Sequence, residues 1–289
     1  MKRILTSIAL AGLLVTGAFA TDAKTNQVNK NAVINAEKKA QQNNQLITEA
    51  IDAIRNTQDA LIYLNGKEAK KAKESLKKAI ADLSDVLNRP NPPYLLPVDL
   101  NIEAYQFAGN IDTIKKAVYE AKILVEENKL PEAREILNNL RDEIDIKTTN
   151  LPLATYPAAL NLAIKYINEG KIKNAKDVLN MALSTLVQIN TIIPIPLIKA
   201  QALITQASKI VKKDSKQALK YLDEAKHQLI LAEALGYTSK SATTYKMLKK
   251  SIEHIENEIK AHHKTGGLFE KLIEKIKEFK EKAITHTTK

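Results

Sequence analysis

His254, Glu258 and His262 recur at intervals of four, with His263 beside the last. On one helical face that spacing brings two imidazoles and a carboxylate within reach of a divalent ion. An open helix face supplies no outer groups to orient such ligands, so the spacing is better read as exposed side chains than as a metal site. Other constellations are missing from the chain. It has no Cys to act as nucleophile, no G-x-S-x-G turn, no phosphate-cradling glycine loop and no H-E-x-x-H. No catalytic residue, metal ligand or cofactor is expected, and a hydrolase is left as a third reading with no activated nucleophile to assign.

Polar chemistry is concentrated in residues 147–157, KTTNLPLATYP. Thr148, Thr149, Asn150, Thr155 and Tyr156 supply hydroxyls and an amide beside Pro157, which can open a helix. A Thr at a helix N-cap satisfies free backbone amides, and the same geometry can hold an anion or a small polar ligand. Asp99 follows Pro97-Val98 in an apolar, β-rich setting where a charge needs a partner. With Tyr105, these residues make up the candidate ligand or partner surface. Asp142, Glu143 and Asp145 stand nearby, yet their sequence shows no special pairing.

The elements that must position these groups are helical. Residues 147–157 fit no helical period: Thr148, Thr149, Leu151 and Thr155 favour extended backbone, and Pro152 and Pro157 enforce it on their predecessors. Residues 95–105 and 186–196 are similar Pro-containing inserts. Strands are expected near 95–105, 144–150 and 186–193, forming one small three-stranded sheet whose connections allow parallel crossovers. Between them one stripe recurs at positions 0, +4, +7 and +11: Ala72, Leu76, Ala79, Leu83; Ala133, Leu137, Leu140, Ile144; Ala175, Leu179, Ala182, Leu186; Ala218, Leu222, Ala225, Leu229. Each follows another apolar-periodic helix, with turn signals at Gly66, Asn128, Gly170 and Asp214. The predicted fold is mainly α, an array of helical hairpins in the style of tetratricopeptide repeats, lengthened by the β inserts.

The ends bound location. Residues 1–20 carry Lys2 and Arg3, an apolar run, and Ala18-Phe19-Ala20, the pattern of a secretory signal cleaved after Ala20. The expected organisation is therefore a signal at 1–20, a polar flexible leader at 21–36, a helical-hairpin domain at 37–263, and a closing segment at 264–289. Export is compatible with the absence of Cys. Cleavage leaves 42 Lys and Arg against 33 Asp and Glu, a net +9. The basic surface suits anionic lipid, envelope polymers or an acidic protein. Nucleic acid is disfavoured, because there is no Trp and aromatics are 4% of the chain. In the closing segment Gly266-Gly267 reads as a hinge. Beyond it, Leu268, Phe269, Leu272, Ile276 and Phe279 line one face of a basic amphipathic helix, which either docks on the body or contacts a membrane surface or partner.

Leu95-Leu96-Pro97-Val98-Asp99, the run from Thr148 through Asn150 and Pro152 to Pro157, Ile193-Pro194-Ile195-Pro196 and Ala232-Glu233-Ala234-Leu235-Gly236-Tyr237 together resemble the bacterial YfdX family. The resemblance implies an exported, mainly helical protein that forms homo-oligomers and is associated with acid or multidrug stress. It also implies chaperone-like behaviour or small-molecule binding, with no catalytic residue to carry over. The function expected is that of a periplasmic, non-enzymatic stress protein holding unfolded proteins or an envelope partner. The alternative is a small-molecule binding protein using the inserts.

Overall fold

The computed structural model describes residues 8–9, 21–238 and 243–288. The expected secretory signal at residues 1–20 thus lies outside the described residues, apart from a two-residue strand, β1 (Ile8–Ala9). Residues 21–36, expected as a flexible leader, instead enter a helix, α1 (Ala23–Asn43). Asp22 caps it by accepting from the Thr25 amide at 2.9 Å. The polar composition misleads here because Thr25, Ala32, Val33 and Ala40 make a narrow buried stripe.

Helical hairpins follow in order: α2 (Thr48–Asn65) with α3 (Ala69–Leu87), α4 (Ile111–Glu126) with α5 (Leu130–Asn138), α6 (Tyr156–Asn168) with α7 (Ile172–Ser184), and α8 (Ile195–Ile210) with α9 (Ser215–Ala234). The first three turn in the same way. Lys67, Asn128 and Gly170 have φ of 61°, 60° and 72°, and each lies five residues before its stripe Ala. The amide of the following residue reaches back to Tyr63, Leu124 or Tyr166, closing the same C-terminal motif at each hairpin. The turn register is common to all three, but of these only α3 carries the whole stripe: α5 stops at Asn138, leaving Leu140 and Ile144 outside the helix, and α7 stops at Ser184, leaving Leu186 outside. The left-handed position in the first is Lys67; Gly66, the expected cap, has φ −77°.

The three inserts form β2 (Leu95–Tyr105), β3 (Glu143–Pro152) and β4 (Val187–Pro194), and a further strand, β5 (Thr285–Thr288), comes from the chain end. Strand order is β1-β2-β3-β4-β5, with β2 to β5 antiparallel and β1 parallel to β2. The parallel crossovers allowed by the sequence are not used: each hairpin returns the chain close to where the preceding strand ended. Ile144 pairs with Ala104 and Ile193, and Ile146 with Ile102 and Thr191, so the even positions of β3 line one face. That face packs with Leu100, Val33, Ile195 and Ile198 beneath α1 and α8.

Two larger cores flank the sheet. The first joins α2, α3, α6 and α7 to Leu96, Leu151 and Leu153, and buries the stripes of α3 and α7. The second joins α8 and α9 to α10 (Thr243–Lys260) and α11 (Gly266–Ala283). Complete burial of a Leu contributes about 1.5–3 kcal/mol, and in the stripes of α3 and α7 Leu76, Leu83 and Leu179 are completely buried. Gly266 and Gly267 do not form a hinge loop but the first turn of α11. The expectation that Leu268, Phe269, Leu272, Ile276 and Phe279 meet a membrane or partner is corrected: all but Leu268 are buried in the second core, and Leu268 packs against it. Lys280 Nζ donates to Gln201 Oε1 at 2.8 Å, which fastens α11 to α8.

Candidate functional site: the polar face of the sheet

Odd positions of β3 point away from the Ile144–Ile146 face, and across them the strands bring charged residues into register. Tyr105 pairs with Glu143, Glu103 with Asp145, Asn101 with Lys147, and Asp99 with Thr149. Arg141, just before β3, lies 3.6 Å above the Tyr105 ring. Its Nε donates to Glu143 Oε1 at 2.6 Å and its Nη2 to Asp145 Oδ2 at 3.0 Å. Lys147 Nζ is 3.4 Å from Asp145 Oδ2 and 3.5 Å from Glu103 Oε2. Glu103 also accepts from the Tyr105 hydroxyl and from Asn101. From the turn after α9, the Tyr237 hydroxyl donates to Glu143 Oε2 at 2.7 Å and accepts from the Asp142 amide at 3.0 Å.

Charge compensation governs this network. Hydrogen bonds from Tyr105 and Asn101 hold the Glu103 carboxyl below its ordinary value, with Lys147 adding to them. Burial works against the Arg141 guanidinium, but Glu143, Tyr105 and Asp145 outweigh it and hold its charge more firmly than usual. Burial, together with the neighbouring carboxylates, pushes the Tyr237 phenol far up, so it remains a donor. Asp142 stands apart. It is fully buried, and neither carboxyl oxygen makes a hydrogen bond. Burial raises its pKa despite the pull of Lys199 and of the Phe107 amide, which lies near it outside hydrogen-bonding geometry. Asp145 Oδ1 is also without a donor.

The candidate residues read from the sequence divide between this network and the core. Tyr105 belongs to the network. Asp99 is exposed on the same sheet face, where it needs no buried partner. Thr148 and Asn150 lie on the opposite face, and their polar atoms serve the sheet: Asn150 Nδ2 donates to Val187 O at 3.2 Å and to Thr148 O at 3.2 Å. Thr149 is half-buried, and Thr155 is exposed at the start of α6 without a side-chain capping bond. Tyr156 is packed into the first core, 1% exposed, its hydroxyl beside Thr57 but in no hydrogen-bonding geometry. The structure therefore disperses the expected pocket: these side chains fill and stitch the junction. Arg141, Asp142, Glu143, Asp145 and Tyr237 were not singled out by spacing. The one signal for them was that Tyr237 closes the Ala232 to Tyr237 motif.

His254, His262 and His263 are exposed. α10 ends at Lys260, and His262 adopts φ 59° outside it, so the four-residue spacing breaks down. His254 Nδ1 stays 4.0 Å from Glu258 Oε1, and His263 Nδ1, not His262, lies 2.9 Å from Glu258 Oε2. Among the described residues no three His, Asp or Glu converge as metal ligands. An open groove of about 590 Å³ lies between the start of α1 and helices α9 and α10, lined by Asp22, Lys220, Asp223, Glu224, Lys249 and Glu253 among others.

The four motif segments, distant in sequence, meet around β3. Leu95 and Leu96 pair with Pro152 and Leu151 at one end. At the other, Glu143 pairs with Pro194, the Ile195 amide donates to Asp142 O at 2.9 Å, and Tyr237 reaches Glu143. The YfdX protein family model matches residues 53–192, from within α2 to within β4. Through this region the chain is similar to the YfdX family. Among solved structures it is similar to Salmonella Typhi YfdX, at 18% identity and a TM-score of 0.35, over 51% of this chain and 92% of that one. No curated protein matches the chain. The YfdX match spans β2 and β3, and so most of the polar network, but stops before Tyr237.

Proposed function

We propose that this chain is an exported, non-enzymatic stress protein of the periplasm that holds partly unfolded or partner proteins on an apolar surface. The observation that carries the reading is the α4–α5 hairpin. Val118, Tyr119, Ile123, Val125, Leu130 and Leu137 are between 37% and 68% exposed there, whereas the equivalent stripes of α3 and α9 are fully buried. Apolar side chains clustered in this way on one element mark an interaction surface. The carboxylates of the polar face, by contrast, are engaged with Arg141 and Lys147, which suits a structural lock better than acid–base chemistry.

The test is light scattering of a heat-denatured client protein, without ATP, in the presence of the chain lacking residues 1–20. Suppression that weakens in an Ile123→Lys, Leu130→Lys variant is the expected result. A chain that leaves the scattering unchanged overturns the reading. The small-molecule alternative draws its support from the charged groove between α1, α9 and α10, and no longer from the inserts.

A further inference from the structure

The groove between the start of α1, α9 and α10 is lined by four carboxylates, Asp22, Asp223, Glu224 and Glu253, against three lysines. The lysines are engaged. Lys220 Nζ donates to Asp22 Oδ2 at 3.0 Å, Lys226 lies 3.4 Å from Asp223 and 2.9 Å from Glu256 on α10, and Lys249 stands 6.0 Å over the Tyr245 ring. Glu224 is left with a neutral donor, the Gln228 side-chain amide at 2.7 Å, and Glu253 has no ion pair among the described residues. In a chain whose net charge is +11, this groove is short of a cation. Thr21 is part of the same lining. Asn26 holds it there, its Nδ2 donating to Thr21 O at 3.2 Å, while the Thr21 amide meets no acceptor among the described residues. Glu224 is one turn along α9 from Lys220, whose ammonium reaches Asp22, the neighbour of Thr21.

We infer, resting on the export proposed above, that this groove is the binding site for the α-ammonium of the mature chain: cleavage after Ala20 creates a charge at Thr21 that Glu224 and Glu253 take up, fastening α1 a second time. Hydrolysis of the Ala20–Thr21 peptide bond consumes one water. The released signal keeps the carboxylate, and Thr21 keeps the amine, which is protonated near neutral pH. Before cleavage the same nitrogen is an uncharged amide. A positive charge beside a helix N-terminus is opposed by the helix dipole, so the new terminus needs these carboxylates to remain at the start of α1. Its tether also gives it an effective concentration of about millimolar or more, which favours it over a free amine or metal cation in the same groove. Residues of α1, Ala32, Val33 and Ala40, complete the small core beneath the sheet. Cleavage therefore consolidates that core only once the chain has been exported, and the precursor is the looser form.

The intact mass of the exported chain fixes its terminus, and a chain that begins anywhere but Thr21 overturns the inference together with the cleavage site. On the chain beginning at Thr21, acetic anhydride at about pH 6.5 acetylates the α-amine ahead of the lysine side chains, which hold their protons more tightly. Amide exchange of the free and acetylated chains is then compared. Acetylation is expected to lower the protection of α1 about threefold and to leave that of α8 unchanged. Glu224→Gln with Glu253→Gln, which keeps the shape of both side chains, is expected to lower α1 protection by a similar factor in the free chain and by nothing further in the acetylated one. Acetylation that leaves α1 unaltered, or substitutions that act equally on both forms, overturns the inference. Client scattering separates the two proposals. If acetylation loosens α1 in a chain that never suppresses scattering, the holding reading fails and the terminal lock stands. If α1 is indifferent to acetylation while Ile123→Lys, Leu130→Lys still weakens suppression, the lock fails and the holding reading stands.

Discussion

Asp142 is where a single residue conflicts most with its surroundings. A carboxylate with both oxygens lacking donors in a dry site is disfavoured as the anion, and Lys199 offsets that only in part. Its folded pKa lies above the unfolded value of 3.8, so over that interval the folded chain holds a proton that the unfolded chain has lost. The residue therefore favours folding at low pH, and its contribution is lost as pH rises through the folded value. Asp142→Asn, which keeps the shape and removes the ionisation, is expected to raise the urea midpoint at neutral pH. The gain should shrink as pH falls toward about 4. A variant less stable than the native chain at neutral pH would show that the anion is satisfied by Lys199. The neighbouring Glu143 and Asp145 are different: they are also buried, but Arg141 lies between them at 2.6 and 3.0 Å, and charge-assisted hydrogen bonds of that length compensate both carboxylates.

At the scale of elements, α11 shows how an amphipathic pattern is resolved by what lies beside it. Its apolar face suits a bilayer surface as well as a groove between helices. The groove between α8 and α10 takes it, with Phe269, Leu272 and Ile276 at 0–1% exposure. Leu272→Ala is thus expected to cost about 2–5 kcal/mol of unfolding free energy in a denaturant titration. If Leu272 were a membrane contact, the same change would leave the titration unaltered and weaken sedimentation with anionic vesicles. The helices themselves were legible, since the stripes of α3, α7 and α9 follow directly from the spacing of Ala and Leu. So were the three insert strands, because Pro and β-branched residues exclude helix there. What the sequence left open was decided by long-range partners. α1 looks like a polar leader until α8 and the sheet cover its narrow stripe. Asp99 turns to the polar face because a bulge between Pro97 and Asp99 resets which way β2 points its side chains, and Tyr156, at the start of α6, is taken into the first core. The acidic run at Asp142, Glu143 and Asp145 acquires meaning only when β2 supplies Tyr105 and Glu103 and the α9 turn supplies Tyr237.

Across the whole molecule, the sheet and α8 link the cores in series. β2 and β3 give Leu96 and Leu151 to the first core and Leu100 and Ile144 to the small one beneath α1, and α8 is shared between that small core and the second. α1 closes the arrangement from outside, and it reaches its place through its first turn. Gln217 Nε2 donates to Asp22 Oδ2 at 3.1 Å and Lys220 Nζ at 3.0 Å, so the beginning of α1 is fastened to α9. Burial would raise the Asp22 pKa, but the Thr25 amide, Lys220 and Gln217 together hold it well below the ordinary value. The sign is opposite to that of Asp142. Asp22 stabilises the fold above its unfolded value of 3.8, and that contribution fades as pH falls through the interval below it. Acid therefore acts unequally on the chain: the charge at Asp142 ceases to matter while the fastening of α1 weakens. Amide exchange followed from neutral pH down to about pH 2 is expected to show α1 losing protection before α8 and α9 do. Asp22→Asn should bring that loss to neutral pH, since an amide can cap the helix but cannot hold Lys220 by charge. If α1 and α9 lost protection together at every pH, α1 would be an inseparable part of the second core, not an independently released strap.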